Sequence, residues 1–124
     1  MRTPLKNVRR LGSAKEGADH FWTQRVTAVA NLVLAVFLVW LVASLVGLDH
    51  AAVKARLAHP LVALPLAMLL VSGAIHMRIG MQVIIEDYVH GEGMKITALM
   101  LNTFFAILIA AASLLAVVKL SLGA

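Results

Sequence analysis

The 124-residue chain contains no cysteine, and this absence excludes several classes of site. Without thiolates the chain forms no disulfide and no cysteine-ligated zinc or iron–sulfur centre of its own. A glycine-rich phosphate loop is also missing, so no nucleotide-binding fingerprint is present. Charged residues make up only 14% of the chain and hydrophobic residues 61%, whereas a soluble domain carries about 25% charged residues. The composition therefore indicates a membrane protein.

Three apolar runs account for this composition, at about 26–48, 61–85 and 96–118. Each meets the requirement of about 20 residues for a membrane-spanning helix. The first run is too long, and too far from the N-terminus, for the hydrophobic region of a signal peptide. We therefore predict an all-α membrane protein, a single membrane-anchor domain over residues 1–124 with three transmembrane helices and a polar N-terminal segment at 1–25.

The basic residues are concentrated before the first run, and the net charge is +5. Six of the eleven precede it: Arg2, Lys6, Arg9, Arg10, Lys15 and Arg25. A basic segment beside a hydrophobic helix usually sets topology, so we expect no nucleic-acid partner. The pattern predicts a multi-pass protein of the inner (cytoplasmic) membrane with its N-terminus cytoplasmic and its C-terminus outside. Asp19 is the expected N-cap of the first helix.

Three helices bury little by themselves, which favours a larger bundle with a partner chain or with further copies of this one. The small residues at 110–113 suggest close helix contacts on the third run. On the same run, Asn102 and Thr103 are expected to form interhelical hydrogen bonds.

His76 is the most informative residue, because ionisable side chains at membrane depth usually have a partner or a function. It precedes Asp87 by eleven residues, or about 16 Å of helix, and this places it near the middle of the bilayer. A neutral imidazole there can ligate haem iron. Gly73 and Gly80, on neighbouring turns, would leave room for a flat macrocycle. The alternative is a buried histidine that hydrogen-bonds to an adjacent helix.

Other ionisable residues fit around such a haem. The remaining histidines, at 20, 50, 59 and 90, are predicted in loops or at helix ends, so a second axial ligand would come from a partner or a second copy. Arg25 and His20, where the first helix enters the membrane, are candidates to contact haem propionates, although Arg25 also suits a topology anchor. Arg78 would pair with a propionate or a partner's carboxylate, or extend its charged end to the interface.

Asp87 and Tyr88 close the second apolar run. A phenol hydroxyl can donate a hydrogen bond to a quinone carbonyl, and a neighbouring carboxylate can tune that hydroxyl or relay protons. The alternative is an interfacial tyrosine beside acidic residues at a helix end.

Together these residues resemble the D-type hydrophobic membrane anchor subunit of succinate dehydrogenase, respiratory complex II. The resemblance rests on the opening FWTQRVTAVAN, the His76–Gly80 pair and the Asp87-Tyr88-Val89 ending, with twelve residues from histidine to tyrosine. It implies that His76 is an axial ligand of haem b, with the second ligand on a cytochrome b-type membrane subunit. It also implies that Tyr88, with Asp87 beside it, contacts ubiquinone, and that Arg25 lies near the propionates. His20 only approximates a family histidine, and Arg78 has no counterpart.

The resemblance further implies a bundle formed with the cytochrome b subunit in the lipid bilayer, below a flavoprotein subunit and an iron–sulfur subunit. Such a complex passes electrons from succinate to ubiquinone, linking the tricarboxylic acid cycle to the respiratory chain. The chain would not be an enzyme alone, and a fumarate reductase running in reverse is a close variant. The alternative from another class is a haem-free scaffold or small transporter subunit, in which His76 and Arg78 form a polar interhelical contact or a proton path.

Overall fold

The computed structural model describes residues 12–123, with side-chain surroundings from residue 17 onward. Regular structure within this range is entirely helical: α1 (Gly12–Leu45), α2 (His50–Ala58), α3 (Pro60–Tyr88) and α4 (Glu92–Ser121). Three segments are long and apolar enough to cross a membrane, Gly17–Leu45, Pro60–Tyr88 and Glu92–Ser121. The predicted fold class is therefore confirmed. The predicted topology signal at Arg2, Lys6, Arg9 and Arg10 lies outside the described residues.

The long helix α3 is the central element, because both α1 and α4 pack against it. Only residues 89–91 separate α3 from α4, and so short a connection makes the two helices antiparallel neighbours. The start of α1, the end of α3 and the start of α4 consequently share one end of the bundle, which we call the Tyr88 end.

The helix α2 lies between the first two apolar runs, where no helix was predicted, and packs against α3 and α4. Asp49 caps it, accepting a hydrogen bond of 2.8 Å from the backbone N of Ala52. From within α2, Arg56 Nη1 donates to the backbone O of Ser44 at 2.8 Å, satisfying a carbonyl that the end of α1 leaves free. Gly47 makes the turn between α1 and α2 with φ +80°, a conformation that favours glycine.

Two predicted boundaries are corrected by the structure. Because α1 begins at Gly12, Asp19 lies inside the helix and the prediction that it is the N-cap was wrong. Residues 13–16 include alanine, lysine and glutamate, which are strong helix formers that let the helix extend beyond its membrane part. At the other boundary, α3 continues to Tyr88, three residues beyond the apolar run at 61–85, so residues 86–88 form its last turn.

The bundle has little core of its own. Only 11% of the most apolar window of each long helix is buried within the chain. On α1, Val29, Leu32, Val33 and Val36 remain 65–69% exposed. Helices that are apolar all round need lipid or other protein against these faces, as expected for a subunit that spans a membrane.

Candidate functional site

The site is centred on a contact between α1 and α3. His76 Nδ1 lies 3.1 Å from Thr27 Oγ1, and Thr27 is only 8% exposed, the one polar side chain among the buried residues of the described range. The same hydroxyl oxygen lies 2.8 Å from the backbone O of Thr23 and 3.1 Å from that of Gln24. Thr27 therefore forms hydrogen bonds within α1 and to His76 of α3.

A second hydrogen bond holds the same crossing. Ser72 Oγ, one turn before His76 on α3, donates to the backbone O of Thr27 at 3.4 Å. The predicted alternative for His76, a hydrogen bond to a neighbouring helix, is thus present, but it uses one ring nitrogen only. Nε2 makes no hydrogen bond to any described residue. The side-chain atoms of this range that are fully buried without a partner are Gln24 Oε1 and Asn31 Oδ1, and Nε2 is not one of them. Nε2 therefore reaches the surface of the chain.

The glycines beside His76 differ in their surroundings. A Cβ added at Gly73 would meet nothing within 4 Å, so this position borders open space. A Cβ added at Gly80 would lie 3.5 Å from Gln24 Nε2, which means that Gly80 faces α1. Gly73 is therefore open to the surroundings of the chain, whereas Gly80 lies at an ordinary van der Waals distance from a side chain of α1. That the two glycines leave room for a flat group stays a prediction.

His20 and Arg25 share a groove between α1 and α3 towards the Tyr88 end. The groove has a volume of about 340 Å³, and Glu86 of α3 lines it together with both residues. The Arg25 guanidinium carbon lies 4.1 Å from the centroid of the Phe21 ring, a cation–π geometry that holds the charge at the groove. Two basic side chains predicted to contact anionic groups are thus brought together, with an acidic one beside them.

Asp87 and Tyr88 are both exposed in the last turn of α3, and Tyr88 is 76% exposed. Neither lines the groove of His20 and Arg25. Their neighbour Glu86 accepts a 2.9 Å hydrogen bond from Gln82 Nε2. The tyrosine therefore presents its ring and hydroxyl to whatever adjoins the Tyr88 end.

Arg78 belongs to a different surface. It lines a small cavity between α3 and α4 with Ala74, Ala106 and other apolar residues, and its backbone O accepts a 2.9 Å hydrogen bond from Asn102 Nδ2. The interhelical hydrogen bond predicted for Asn102 is confirmed. That predicted for Thr103 is wrong, because its hydroxyl donates to Leu99 O of its own helix at 3.0 Å. The structure does not bring Arg78 to the Thr27–His76 contact.

The other histidines lie away from that contact. His20 lies inside α1, so the prediction that it is in a loop or at a helix end was wrong. His50 begins α2, and His59 caps α3, with Nδ1 accepting from the backbone N of Leu61 at 3.1 Å. His90 lies in the connection between α3 and α4. Along the described chain, His76 is the histidine placed midway along a membrane-spanning helix.

Sequence reasoning did not identify Thr27. Its spacing with Gln24 and Asn31 places the three on one face of α1, and the structure turns this face towards α3. Gln24 Oε1 and Asn31 Oδ1 are buried and have no partner among the described residues. A stripe of three polar residues within an apolar helix was the available signal, since such groups need hydrogen bonds at membrane depth.

Comparisons with known proteins indicate the family of the chain. Residues 1–117 match the family model described as succinate dehydrogenase/fumarate reductase transmembrane subunit. A succinate dehydrogenase hydrophobic membrane anchor subunit of Paracoccus denitrificans is 34% identical over 122 residues, 98% of this chain and 94% of the relative. One of Rickettsia bellii (strain RML369-C) is 28% identical over 94% of this chain and 93% of the relative.

A succinate dehydrogenase membrane anchor subunit of Reclinomonas americana is 32% identical over 75% of this chain and 80% of the relative. No solved structure gives a significant match. The family model and the Paracoccus relative each cover nearly the whole chain. The chain therefore belongs to the family of succinate dehydrogenase/fumarate reductase transmembrane subunits.

Proposed function

We propose that this chain is the hydrophobic membrane anchor subunit of a succinate dehydrogenase, in which His76 supplies one axial ligand to haem b and Tyr88, with Asp87, contributes to the ubiquinone site. The anchor role rests on family membership and on relatives of that name that match almost the full chain. The three apolar, little-buried helices suit a subunit surrounded by lipid and partner chains.

The observation that supports the haem assignment most strongly is that the two ring nitrogens of His76 have different surroundings. Nδ1 is engaged by Thr27, while Nε2 reaches the surface of the chain without a partner in the described range. A polar atom on a membrane-spanning helix needs a partner, and a neutral imidazole nitrogen is a common ligand of haem iron. The open space at Gly73, one turn away, leaves room for a flat group.

A bound haem b would supply one-electron redox chemistry, and the chain's residues would hold it. His76 would ligate the iron from within the bundle. Arg25 and His20 would meet the propionates, because their shared groove lies between the same two helices as His76. Arg78 lies on the side of α3 that faces α4. It could therefore contact a propionate only on that side, away from the groove of His20 and Arg25.

For the quinone, the relevant residue is Tyr88. Its exposed hydroxyl would donate a hydrogen bond to a quinone carbonyl, while its ring packs at the membrane interface. Asp87 would hold or relay a proton beside it. The flavoprotein and iron–sulfur subunits would dock at the Tyr88 end and deliver electrons there, and a cytochrome b-type subunit would cover the exposed helix faces and provide the second axial ligand.

The test is to purify the complex through a tag on this chain and determine its subunits, haem content and succinate:quinone reductase activity. We expect flavoprotein, iron–sulfur and cytochrome b-type subunits, one b-type haem and quinone reduction. A complex with its partners retained but without haem would overturn the ligand assignment and favour a haem-free scaffold. Purification without these partners would overturn the anchor role.

A further inference from the structure

We infer that Thr27 is a positioning residue for His76: its hydroxyl holds the imidazole with the proton on Nδ1 and so keeps the Nε2 lone pair free for a metal ligand bond. The inference rests on the proposed haem-binding role of His76 and adds to it the residue of α1 that fixes the tautomer and orientation of the ring.

The Thr27 hydroxyl has a single proton to share among three neighbouring atoms. A threonine hydroxyl carries one proton and accepts through its lone pairs, whereas backbone carbonyl oxygens only accept. Thr27 Oγ1 lies 2.8 Å from Thr23 O and 3.1 Å from Gln24 O, so the hydroxyl proton must lie towards these carbonyls. Two oxygen acceptors at 2.8 Å without a proton between them would repel each other.

The direction of the third contact follows. Because the hydroxyl proton is already used on α1, the 3.1 Å contact between Thr27 Oγ1 and His76 Nδ1 requires the imidazole to donate. A neutral imidazole with its proton on Nδ1 has its only ring lone pair on Nε2. The hydrogen bond thus selects the tautomer that can ligate a metal through Nε2.

The local packing keeps this arrangement fixed. Thr27 is buried, and as a β-branched residue in a helix its side chain adopts few rotamers, among them the one that bonds to the carbonyl one turn earlier. Ser72 of α3 adds a longer, weaker contact of 3.4 Å to the Thr27 carbonyl, so a second polar contact joins the two helices at this point. The imidazole therefore has a defined orientation before any ligand binds.

A hydrogen-bond acceptor at Nδ1 also affects how strongly a histidine binds a metal through Nε2. Such a partner orients the ring and raises the basicity of the ligating nitrogen, and its removal from metal sites typically costs about 10- to 100-fold in metal affinity or activity. A more basic imidazole favours the oxidised, more positive iron. Loss of the Thr27 hydroxyl should therefore raise the midpoint potential of a haem held by His76.

The test compares Thr27→Val with Thr27→Ser in the assembled complex. Valine keeps the branched shape without the hydroxyl, and serine keeps the hydroxyl. The readouts are haem content, the haem midpoint potential from optical redox titration, and the g-values of the ferric haem in electron paramagnetic resonance. We expect Thr27→Val to raise the potential and shift the g-values, and Thr27→Ser to return both towards the wild type.

Thr103→Val is the matched control, because Thr103 makes the same bond to a carbonyl four residues earlier but no hydrogen bond to a histidine of the described range. Equal spectra and potentials for Thr27→Val and wild type, or equal shifts in Thr27→Val and Thr103→Val, would overturn the inference. If Thr27→Val does not assemble, Thr27→Ala takes its place in the same comparison with Thr27→Ser. Haem retained in His76→Ala would instead overturn the proposed function, so the two failures are distinguishable.

Discussion

His76 Nδ1 and Thr27 Oγ1 are 3.1 Å apart across the contact between α3 and α1, and this leaves one imidazole nitrogen engaged inside the chain and one directed to its surface. The second nitrogen is the one that we propose bonds to a group from outside the chain. The consequences for haem binding, assembly and quinone reduction can each be measured.

The isolated chain should not bind haem stoichiometrically as a monomer. His76 lies midway along a spanning helix, whereas His20 lies near the start of the span in α1, and His50, His59 and His90 lie at helix ends or in a connection. A six-coordinate haem therefore needs a second ligand from another chain. Haem titration of the purified chain in detergent, with its mass determined in parallel, checks this expectation. Tight one-to-one binding by a monomer would remove the need for a partner ligand.

Gly73→Leu should lower the haem content of the purified complex several-fold, because a leucine there would enter the space that borders His76. Glycine is less favourable than leucine in a helix interior by roughly 0.5–1 kcal/mol, so a weaker helix cannot explain such a loss. Gly93→Leu is the control, since Gly93 also has no atom within 4 Å of an added Cβ but lies at the start of α4. Full haem occupancy in Gly73→Leu would show that the open space has another occupant.

Tyr88→Phe should reduce succinate:quinone reductase activity roughly 3- to 10-fold, as expected for the loss of one hydrogen bond of about 1 kcal/mol. Reduction of an artificial dye that accepts electrons before the membrane should persist. Trp22→Phe serves as the control, because Trp22 is another exposed aromatic residue near the Tyr88 end. Parallel loss of dye and quinone reduction in Tyr88→Phe would point to disturbed assembly.

Arg56→Ala should destabilise the complex modestly, by about 0.5–1.5 kcal/mol, because the backbone carbonyl of Ser44 loses its donor. Lys54→Ala removes the same charge from the same helix and should have a smaller effect. Thermal inactivation of the two variants, followed by loss of assembled complex, measures the difference. Equal midpoints would mean that the Arg56 contact contributes nothing beyond its charge.

The sequence was sufficient to predict the elements set by hydrophobicity and length. Three apolar runs predicted three spanning helices, and the structure has them. The segment at 50–58 was not recognised as a helix, because nine residues of mixed polarity show no strong period and are held by tertiary contacts from Arg56 and by the Asp49 cap. Asp19 was misplaced because helix propensity continued beyond the apolar run.

For the site, sequence spacing identified His76 but not its partner. Thr27 is 49 positions away, and only the packing of α1 on α3 shows which face of α1 meets the histidine. Similarly, the side chain opposite Gly80 belongs to Gln24 of α1, a neighbour that the sequence does not indicate. Such assignments depend on helix rotation, which composition and spacing do not determine.

The most direct test of the central claim is a reduced-minus-oxidised spectrum of the complex purified through a tag on this chain, with wild type beside His76→Ala. We expect a b-type signal in the wild type that is lost or severely altered in His76→Ala while the other subunits still co-purify. An unchanged b-type signal in the variant would contradict the assignment of His76 as a haem ligand.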